Sequence, residues 1–385
     1  MEFERSKETL VNTQATLCPQ NDKIPPQNEL LESRCKGRAG YSLLPTNDLK
    51  ILVISKPFDE ECNEYFHKVL SFLHKHRIEI YTTKSSLEAV KDDPVIRDHI
   101  KPQIYTDDIR INRIITLGGD GTILFSIKMF YNKSVPPMIS FGLGSVGYLC
   151  SFDCKEMIDT LTDLLLDPCY RKRKTTIDEI CQVRPVKTLD STPFLDYKDR
   201  LRVTITSKSK KEKFMVTSSI FEEDEKEFDS GSSICALNEF ALESEAFYLP
   251  FTCGVYVNET FLTEITACGL ILSTSTGSTA YGMSAGGSIV QAGVEAICIT
   301  AVNPSSISFR PLILPFNCKV TLKIPKGVNE NVIKGVIDGD FKFMCTDEDE
   351  ITIEGSSDPI PFVSKEADDP MTSWIKRVSS TVLNY

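Results

Sequence analysis

Beyond His99 the chain has no histidine: the four are His67, His74, His76 and His99, in 385 residues. A Ser–His–Asp hydrolase would have to draw its base from the N-terminal quarter. A general base in the rest of the chain falls to another residue type, first of all a carboxylate. His74 and His76 flank Lys75 and read as surface residues of a helix. No apolar run approaches the about eighteen residues of a membrane span. The 13 cysteines contain no CxxC pair, Cys150 and Cys154 being the nearest to one. They read as reduced, mostly buried thiols, and no metal ligand set is assigned. Positive charge is also scarce, with 43 Lys and Arg against 54 Asp and Glu, a net charge of −11. That balance disfavours nucleic acid and anionic membrane as partners, although backbone N–H groups and single basic residues can still bind anions locally. The first ten residues carry Glu2, Glu4 and Glu8 and no apolar stretch. They suit neither a secretory signal nor a presequence poor in acids, so the expected location is cytoplasmic.

What is present is an ordinary globular composition, 41% hydrophobic and 25% charged, long enough for two domains and a tail. Residues 1–48 are polar, contain Pro25-Pro26 and read as a disordered tail. Residues 49–170 alternate strand and helix. Leu49–Ser55, Ile78–Tyr81, Arg113–Leu117 and Pro137–Phe141 are strand-like. Glu60–His76, Ile123–Tyr131 and Glu156–Leu166 are helix-like. This alternation predicts an α/β domain with a mainly parallel sheet. From 171 to 355 short alternating runs such as Leu201–Thr206, Gly254–Val257 and Val320–Ile324 predict an all-β, sandwich-like domain. Within it the charge runs Lys208–Lys213 and Glu222–Glu227 read as a solvated loop insertion near 207–232. Residues 356–385 form a C-terminal tail with a helix over Pro370–Leu383, packing back on the α/β domain, with Trp374 as its anchor.

Two glycine-rich turns carry the chemistry. The first, Gly118-Gly119-Asp120-Gly121-Thr122, lies between a strand and a helix. Glycines there admit a ligand close to the backbone, and the helix start offers free N–H groups and a positive dipole, a setting for phosphate. Asp120 is the outlier, because a carboxylate beside phosphate is costly. It is either an N-cap of an ordinary βα turn or the residue that takes a hydroxyl proton or organises Mg²⁺. The second, Thr276-Gly277-Ser278-Thr279-Ala280-Tyr281, is a polar loop ending in an aromatic, suited to a nucleotide or to an ordinary turn. Between them, Asn238-Glu239 interrupts an apolar run. Such a pair can grip vicinal ribose hydroxyls, or simply mark a strand end at solvent. Gly142–Gly147 fits GxGxxG but comes too late in the domain for a dinucleotide fingerprint, and reads as a tight βα turn.

Together these residues resemble the NAD kinase family, whose members carry G-G-D-G-T, an Asn-Glu pair and T-G-S-T-A-Y in this order. Similar stretches include Gly144–Leu149, Ser284–Gly287, Ser308–Pro311 and Asp338-Gly339. G-G-D-G-T alone also occurs in lipid kinases and phosphofructokinases; the combination is specific. The resemblance implies an α/β domain followed by a β domain and an alcohol-directed phosphotransferase. It would use ATP, with Mg²⁺ arriving on it, to phosphorylate the 2′-hydroxyl of the adenosine ribose of NAD. It further implies Asp120 as general base and Gly118, Gly119, Gly121 and Thr122 around phosphates. Asn238 and Glu239 would hold NAD within the second site, which Thr276, Gly277, Ser278, Thr279, Ala280 and Tyr281 complete. Family members usually form homo-oligomers.

The chain departs from the family in places. Cys268 stands where an Asp is common, Ser275 replaces a proline, and Gly282 a serine. The Arg-Gly pair expected shortly after Asn238-Glu239 is replaced by Leu242-Glu243-Ser244-Glu245-Ala246. These changes leave a second reading, a catalytically weak or silent NAD(P)-binding regulatory paralogue; a third and less favoured reading, a lipid kinase, rests on Gly118–Thr122 alone. They also leave open NAD against NADH and the phosphate donor.

Overall fold

The computed structural model describes residues 39–40, 49–143, 148–166, 194–207, 213–220, 225–246, 249–306, 308–327, 332–364, 375 and 378–379. The tail read over 1–48 lies outside these residues apart from Ala39-Gly40, as do Gly144–Gly147, Lys208–Glu212, Glu222–Asp224 and Trp374.

The first eight strands are β1 (Ala39–Gly40), β2 (Lys50–Ser55), β3 (Glu79–Thr82), β4 (Gln103–Ile104), β5 (Arg113–Leu117), β6 (Met138–Gly142), β7 (Phe152–Asp153) and β8 (Phe194–Lys198). β2, β5 and β6 are buried along almost their whole length, as parallel strands covered by helices on both faces must be. The covering helices are α1 (Glu60–Lys75), the short α2 (Lys84–Glu88), α3 (Asp120–Lys128) and α4 (Met157–Leu165). α1 shows why these segments become helices. Asp59 caps it by accepting from the Cys62 amide at 3.1 Å, Glu60 and Glu61 begin it, His74 and Lys75 end it, and Phe66, Val69, Leu70 and Leu73 are buried against the sheet.

The chain then enters two antiparallel sheets. Their strands are β9 (Leu201–Ser207), β10 (Lys213–Thr217), β11 (Glu225–Asp229), β12 (Ser233–Ala236), β13 (Glu239–Ser244), β14 (Phe251–Val257), β15 (Thr260–Ala267), β16 (Gly269–Thr274), β17 (Ala296–Val302), β18 (Leu312–Pro315), β19 (Lys319–Lys323), β20 (Ile333–Ile337), β21 (Phe341–Cys345) and β22 (Asp349–Gly355). One sheet runs β11-β10-β21-β20-β13-β16-β17-β18 and the other β12-β9-β22-β19-β14-β15. A single core joins them, with Val203, Val255, Leu322 and Ile351 of one sheet packed with Phe240, Leu270, Ile299 and Phe341 of the other. Part of the region read as a charged loop is instead the β10–β11 hairpin. Its outward residues Lys213 and Glu227 pair at 2.9 Å, while Val216 and Phe228 are buried in the core. The apolar residues that follow the charge runs, Phe214 and Val216 after the first and Phe228 after the second, give these segments a face to bury and make strands of them.

The last strand, β23 (Ile360–Ser364), returns to the first sheet, parallel to β6 and antiparallel to β8. That sheet therefore runs β1-β8-β23-β6-β5-β2-β3-β4, with β7 beside β6. Both crossings between the layers meet at Arg200, which is fully buried. Its guanidinium donates to the carbonyls of Asp358 (2.7 Å), Phe130 (3.2 Å) and Lys133 (3.2 Å), and its own carbonyl accepts from the Ser356 amide at 2.8 Å. Burial lowers its pKa, yet a guanidinium surrounded by carbonyls keeps its proton. Of the C-terminal helix read over Pro370–Leu383, only Ile375, Val378 and Ser379 fall among the described residues, and Val378 is buried.

Candidate active site

The strand order of the parallel sheet reverses between β2 and β5, since β3 and β4 lie on one side of β2 and β5 and β6 on the other. The crevice beyond such a switch point is where open α/β sheets bind ligands. Gly118–Thr122 sits there. The Lys56 amide, just after β2, donates to the Leu117 carbonyl at 2.9 Å. Gly118 has φ +142°, and a Cβ on it would stand 2.5 Å from Thr122 Oγ1 and 3.2 Å from Lys56 Cβ, so only glycine fits. Gly119 and Gly121 are exposed, and a Cβ on either would meet nothing within 4 Å. The open face of the turn is therefore the start of α3, where unpaired amides point outward.

Asp120 is the first residue of α3 and does not act as its N-cap, a position held by Gly119 without a side-chain bond. Its two carboxylate oxygens instead accept the amides of Tyr148 (2.9 Å) and Leu149 (3.0 Å). Asp120 thus holds the chain at Tyr148-Leu149. The carboxylate is only partly covered, and two accepted bonds leave further lone-pair positions for a ligand hydroxyl.

The other two motifs lie against each other. The Thr274 amide donates to the Asn238 carbonyl (2.9 Å) and its hydroxyl to the Leu237 carbonyl (2.7 Å), while that hydroxyl accepts the Gly277 amide (2.9 Å). A Cβ on Gly277 would stand 2.6 Å from Asn238 Cα, so the two backbones touch. Thr276, Gly277 and Ser278 form a buried 3₁₀ turn, with Ser278 Oγ bonded to the Ser275 and Val290 carbonyls and accepting the Val290 amide. Thr279, Ala280 and Tyr281 are partly exposed, and Tyr281 opens the short helix α5 (Tyr281–Ser284). The six-residue loop therefore divides into a buried scaffold, Thr276–Ser278, and an accessible part, Thr279–Tyr281.

Asp338 organises the Asn-Glu pair. Its carboxylate accepts the amides of Leu237 (2.8 Å), Asn238 (2.8 Å) and Glu239 (3.1 Å), and its own amide donates to the Glu239 carbonyl (3.0 Å). Asp338 and Gly339 both have positive φ, 46° and 70°, in the tight turn between β20 and β21. Burial raises the Asp338 pKa and the three N–H bonds oppose it. Glu239 is 7% exposed, and its Oε2 has no hydrogen-bond partner. Burial, and then the Asp338 charge, push its carboxyl up to about 8, against the pull of the Tyr281 amide and of Lys128. An orphaned acid oxygen in a buried carboxyl is an acceptor awaiting a donor. The Tyr281 phenol is pushed up to about 12 by burial and by Glu243.

Leu237 links this group to the first motif. It packs in one cluster with Ile123 and Ile127 of α3 and with Leu149 and Cys150. Lys128, the last residue of α3, lies 3.7 Å from Asp340. Asp340 and Lys128 carry no mark in the sequence; Asp338 has one, the family-like Asp338-Gly339 dipeptide. Cys268 is half-buried, its carbonyl accepting from the Ser244 amide and its amide donating to Val302.

A phosphate-ready glycine turn at a parallel switch point, joined through one helix to an Asn-Glu pair whose glutamate is buried, defines a nucleotide phosphotransferase. Comparison with known proteins makes this specific. The ATP-NAD kinase N-terminal domain matches residues 51–168 and the ATP-NAD kinase C-terminal domain residues 237–365. The mitochondrial NADH kinase POS5 of Saccharomyces cerevisiae is 32% identical over 330 residues, 82% of this chain and 67% of that protein. The mitochondrial NADH kinase pos5 of Schizosaccharomyces pombe is 29% identical over 279 residues, 72% of this chain and 61% of that protein. A crystal structure of yeast NADH kinase complexed with NADH superposes with a TM-score of 0.64 at 28% identity, covering 88% of each chain. The chain belongs to the ATP-NAD kinase family.

One expectation is overturned. The cytoplasmic location rested on three early glutamates, and the two relatives above are mitochondrial enzymes. The composition of ten residues does not decide a compartment.

Proposed function

We propose that this chain transfers the γ-phosphate of Mg·ATP to the 2′-hydroxyl of the adenosine ribose of NAD or NADH. The observation that carries the reading is the junction itself. α3 begins in the glycine turn with Asp120, and Leu237, next to Asn238-Glu239, packs on the same helix. A phosphate bound at the open face of Gly118–Thr122 and a ribose held by Asn238 and Glu239 are then served by one rigid element.

In this mechanism Asp120 accepts the proton of the 2′-hydroxyl as that oxygen bonds to the γ-phosphorus. The bond from that phosphorus to the β–γ bridging oxygen breaks, and ADP leaves. The amides at Gly119 and Gly121 bind phosphate oxygens, with the Thr122 hydroxyl beside them and the α3 dipole behind them; the Thr122 amide is taken by the Gly119 carbonyl. The Glu239 oxygen without a partner accepts a ribose hydroxyl, and Thr279, Ala280 and Tyr281 border the base ends of the dinucleotide. Thr276, Gly277 and Ser278 act through the backbone shape they impose on Asn238. Mg²⁺ is part of the ATP substrate. Among the described residues no group of three His, Cys, Asp or Glu is placed to hold a metal ion.

The test is Mg·ATP with NAD and NADH in parallel, reading NADP(H) through an NADP-specific dehydrogenase; no product from either sinks the assignment. Cys268 in place of the family Asp favours one alternative, a dinucleotide-binding regulator, which calorimetric NAD(H) binding without turnover would support. We also propose a homo-oligomer. β15 is an edge strand with Phe261 and Leu262 exposed, a surface that self-association would cover. Light scattering giving a monomer mass would refute it.

A further inference from the structure

Lys128 closes α3 eight residues after Asp120, about 12 Å along a helix rising 1.5 Å per residue. Its ammonium sits at a partly buried position, 14% exposed, 3.7 Å from an Asp340 side chain that is 16% exposed. Asp340 is itself held in place, accepting from Ser218 Oγ (2.7 Å), Ser219 Oγ (3.1 Å) and the Ser219 amide (3.2 Å). The turn between β20 and β21 thus carries two carboxylates with opposite duties. Asp338 faces inward and suspends the Leu237-Asn238-Glu239 backbone. Asp340 faces the end of the helix that starts with the glycine turn.

Three carboxylates converge on this corner: Glu239, Asp338 and Asp340. Lys128 is the cation whose charge acts on all three, drawing each toward its ionised form. On Asp340 burial works the other way, and the Ser218 and Ser219 bonds together with Lys128 outweigh it. An exposed Lys–Asp pair contributes little to stability. A cation fixed among buried acids instead sets their geometry and charge, because the low dielectric there leaves the interaction less screened.

We propose that Lys128 is a positioning residue for the dinucleotide: through Asp340 it registers the Asp338 turn, and with it Asn238 and Glu239, against the helix that begins at Asp120. The inference rests on the dinucleotide kinase reading. It concerns residues outside the three motifs and goes beyond them. Lys128 touches neither phosphate nor ribose in this account. It acts on the acceptor side and leaves the ATP side alone, since the glycine turn lies at the opposite end of α3.

The experiment compares the full chain with Lys128→Met, Lys128→Arg and Asp340→Asn. Initial rates give kcat and KM for NAD, NADH and Mg·ATP. NADH fluorescence titration gives affinity without turnover, and thermal unfolding reports on folding. Lys128→Met should raise the dinucleotide KM and the NADH Kd about tenfold, the scale of one lost charged contact, with the Mg·ATP KM within about twofold. Lys128→Arg should recover most of the loss, because it keeps the charge, and Asp340→Asn should fall between. Equal changes in both substrates' KM, or Lys128→Met binding NADH as wild type does, overturn the proposal. A wild-type chain that neither binds NADH nor makes product sinks the kinase reading itself. A wild-type chain that does both while Lys128→Met is unaffected sinks only the role of Lys128. If Lys128→Met fails to fold, Asp340→Asn still decides: a raised dinucleotide KM beside an unchanged Mg·ATP KM supports the role, and wild-type values for both overturn it.

Discussion

Gly277 lies directly against Asn238: a Cβ at position 277 would come within 2.6 Å of the Asn238 Cα, and the Thr274 hydroxyl ties the Gly277 amide to the Leu237 carbonyl. The second turn and the Asn-Glu pair are one structure, although Thr274 and Leu237 stand 37 positions apart in the chain. Gly277→Ala forces the Asn238 backbone away, and such overpacking costs about 1–3 kcal/mol. The expected result is a lower denaturant midpoint together with at least a tenfold rise in dinucleotide KM, roughly one lost contact. A variant with wild-type KM would show that Asn238 does not need this contact.

Asp120→Asn keeps an oxygen to accept one of the Tyr148 and Leu149 amides but cannot take a proton. Folding should survive, and kcat should fall about 10²–10⁴-fold, the usual worth of a general base. Circular dichroism and kcat measured on the same preparation check both halves. Near-wild-type turnover would remove Asp120 from the chemistry and leave it a loop-holding role.

Asp338→Ala removes the acceptor for three amides in a buried corner. Each unsatisfied buried donor costs about 1–3 kcal/mol, reduced where backbone shift or water relieves it, so a total of about 2–4 kcal/mol is expected. Urea unfolding measures it. Dinucleotide KM should rise more than ATP KM, since the disturbed amides belong to the Asn-Glu segment.

The Glu239 carboxyl, raised from its ordinary 4.5 to about 8, gives a pH signature. The folded state binds this proton more tightly than the unfolded state does. The resulting stability is complete below about pH 4.5 and is lost as pH rises through about 8. Glu239→Gln, which mimics the protonated form, should flatten this slope. Melting temperatures of wild type and variant from pH 5 to 9 isolate it, because carboxylates elsewhere titrate equally in both. Dinucleotide affinity of the wild type should rise over the same interval as the acceptor ionises, and that of Glu239→Gln should not.

Arg200→Met leaves the carbonyls of Phe130, Lys133 and Asp358 without their donor at the point where the chain crosses between layers. A loss of about 2–4 kcal/mol is expected by the same accounting. Chemical denaturation of the variant should lose cooperativity if the layers then unfold separately. A single unchanged transition would show that Arg200 does not join them.

Much of the α/β layer is legible in the sequence because its signal is local. Ile51–Ile54 and Arg113–Leu117 are apolar runs of strand length, and the Glu60–Lys75 stripe has the period of a helix. The glycine turn announces itself through Gly118, whose φ no other residue adopts at ease. The hairpin over Lys213–Asp229 is hidden because charged residues outnumber the buried or half-buried Phe214, Val216 and Phe228 that alternate between them.

The sequence by itself determined the order of strand, helix and motif and the residue types available for chemistry, since periodicity and glycine placement act within a few neighbours. Only the tertiary structure decided which of those residues meet. Asp338 reaches the Asn238 amide across 100 positions, Lys128 reaches Asp340, and the buried Thr276–Ser278 separates from the accessible Thr279–Tyr281. Those partnerships are set by the pairing of β13 with β16 and β20 and by the burial that pairing creates. Which strands adjoin is a property of the whole packed core, and no local pattern records it.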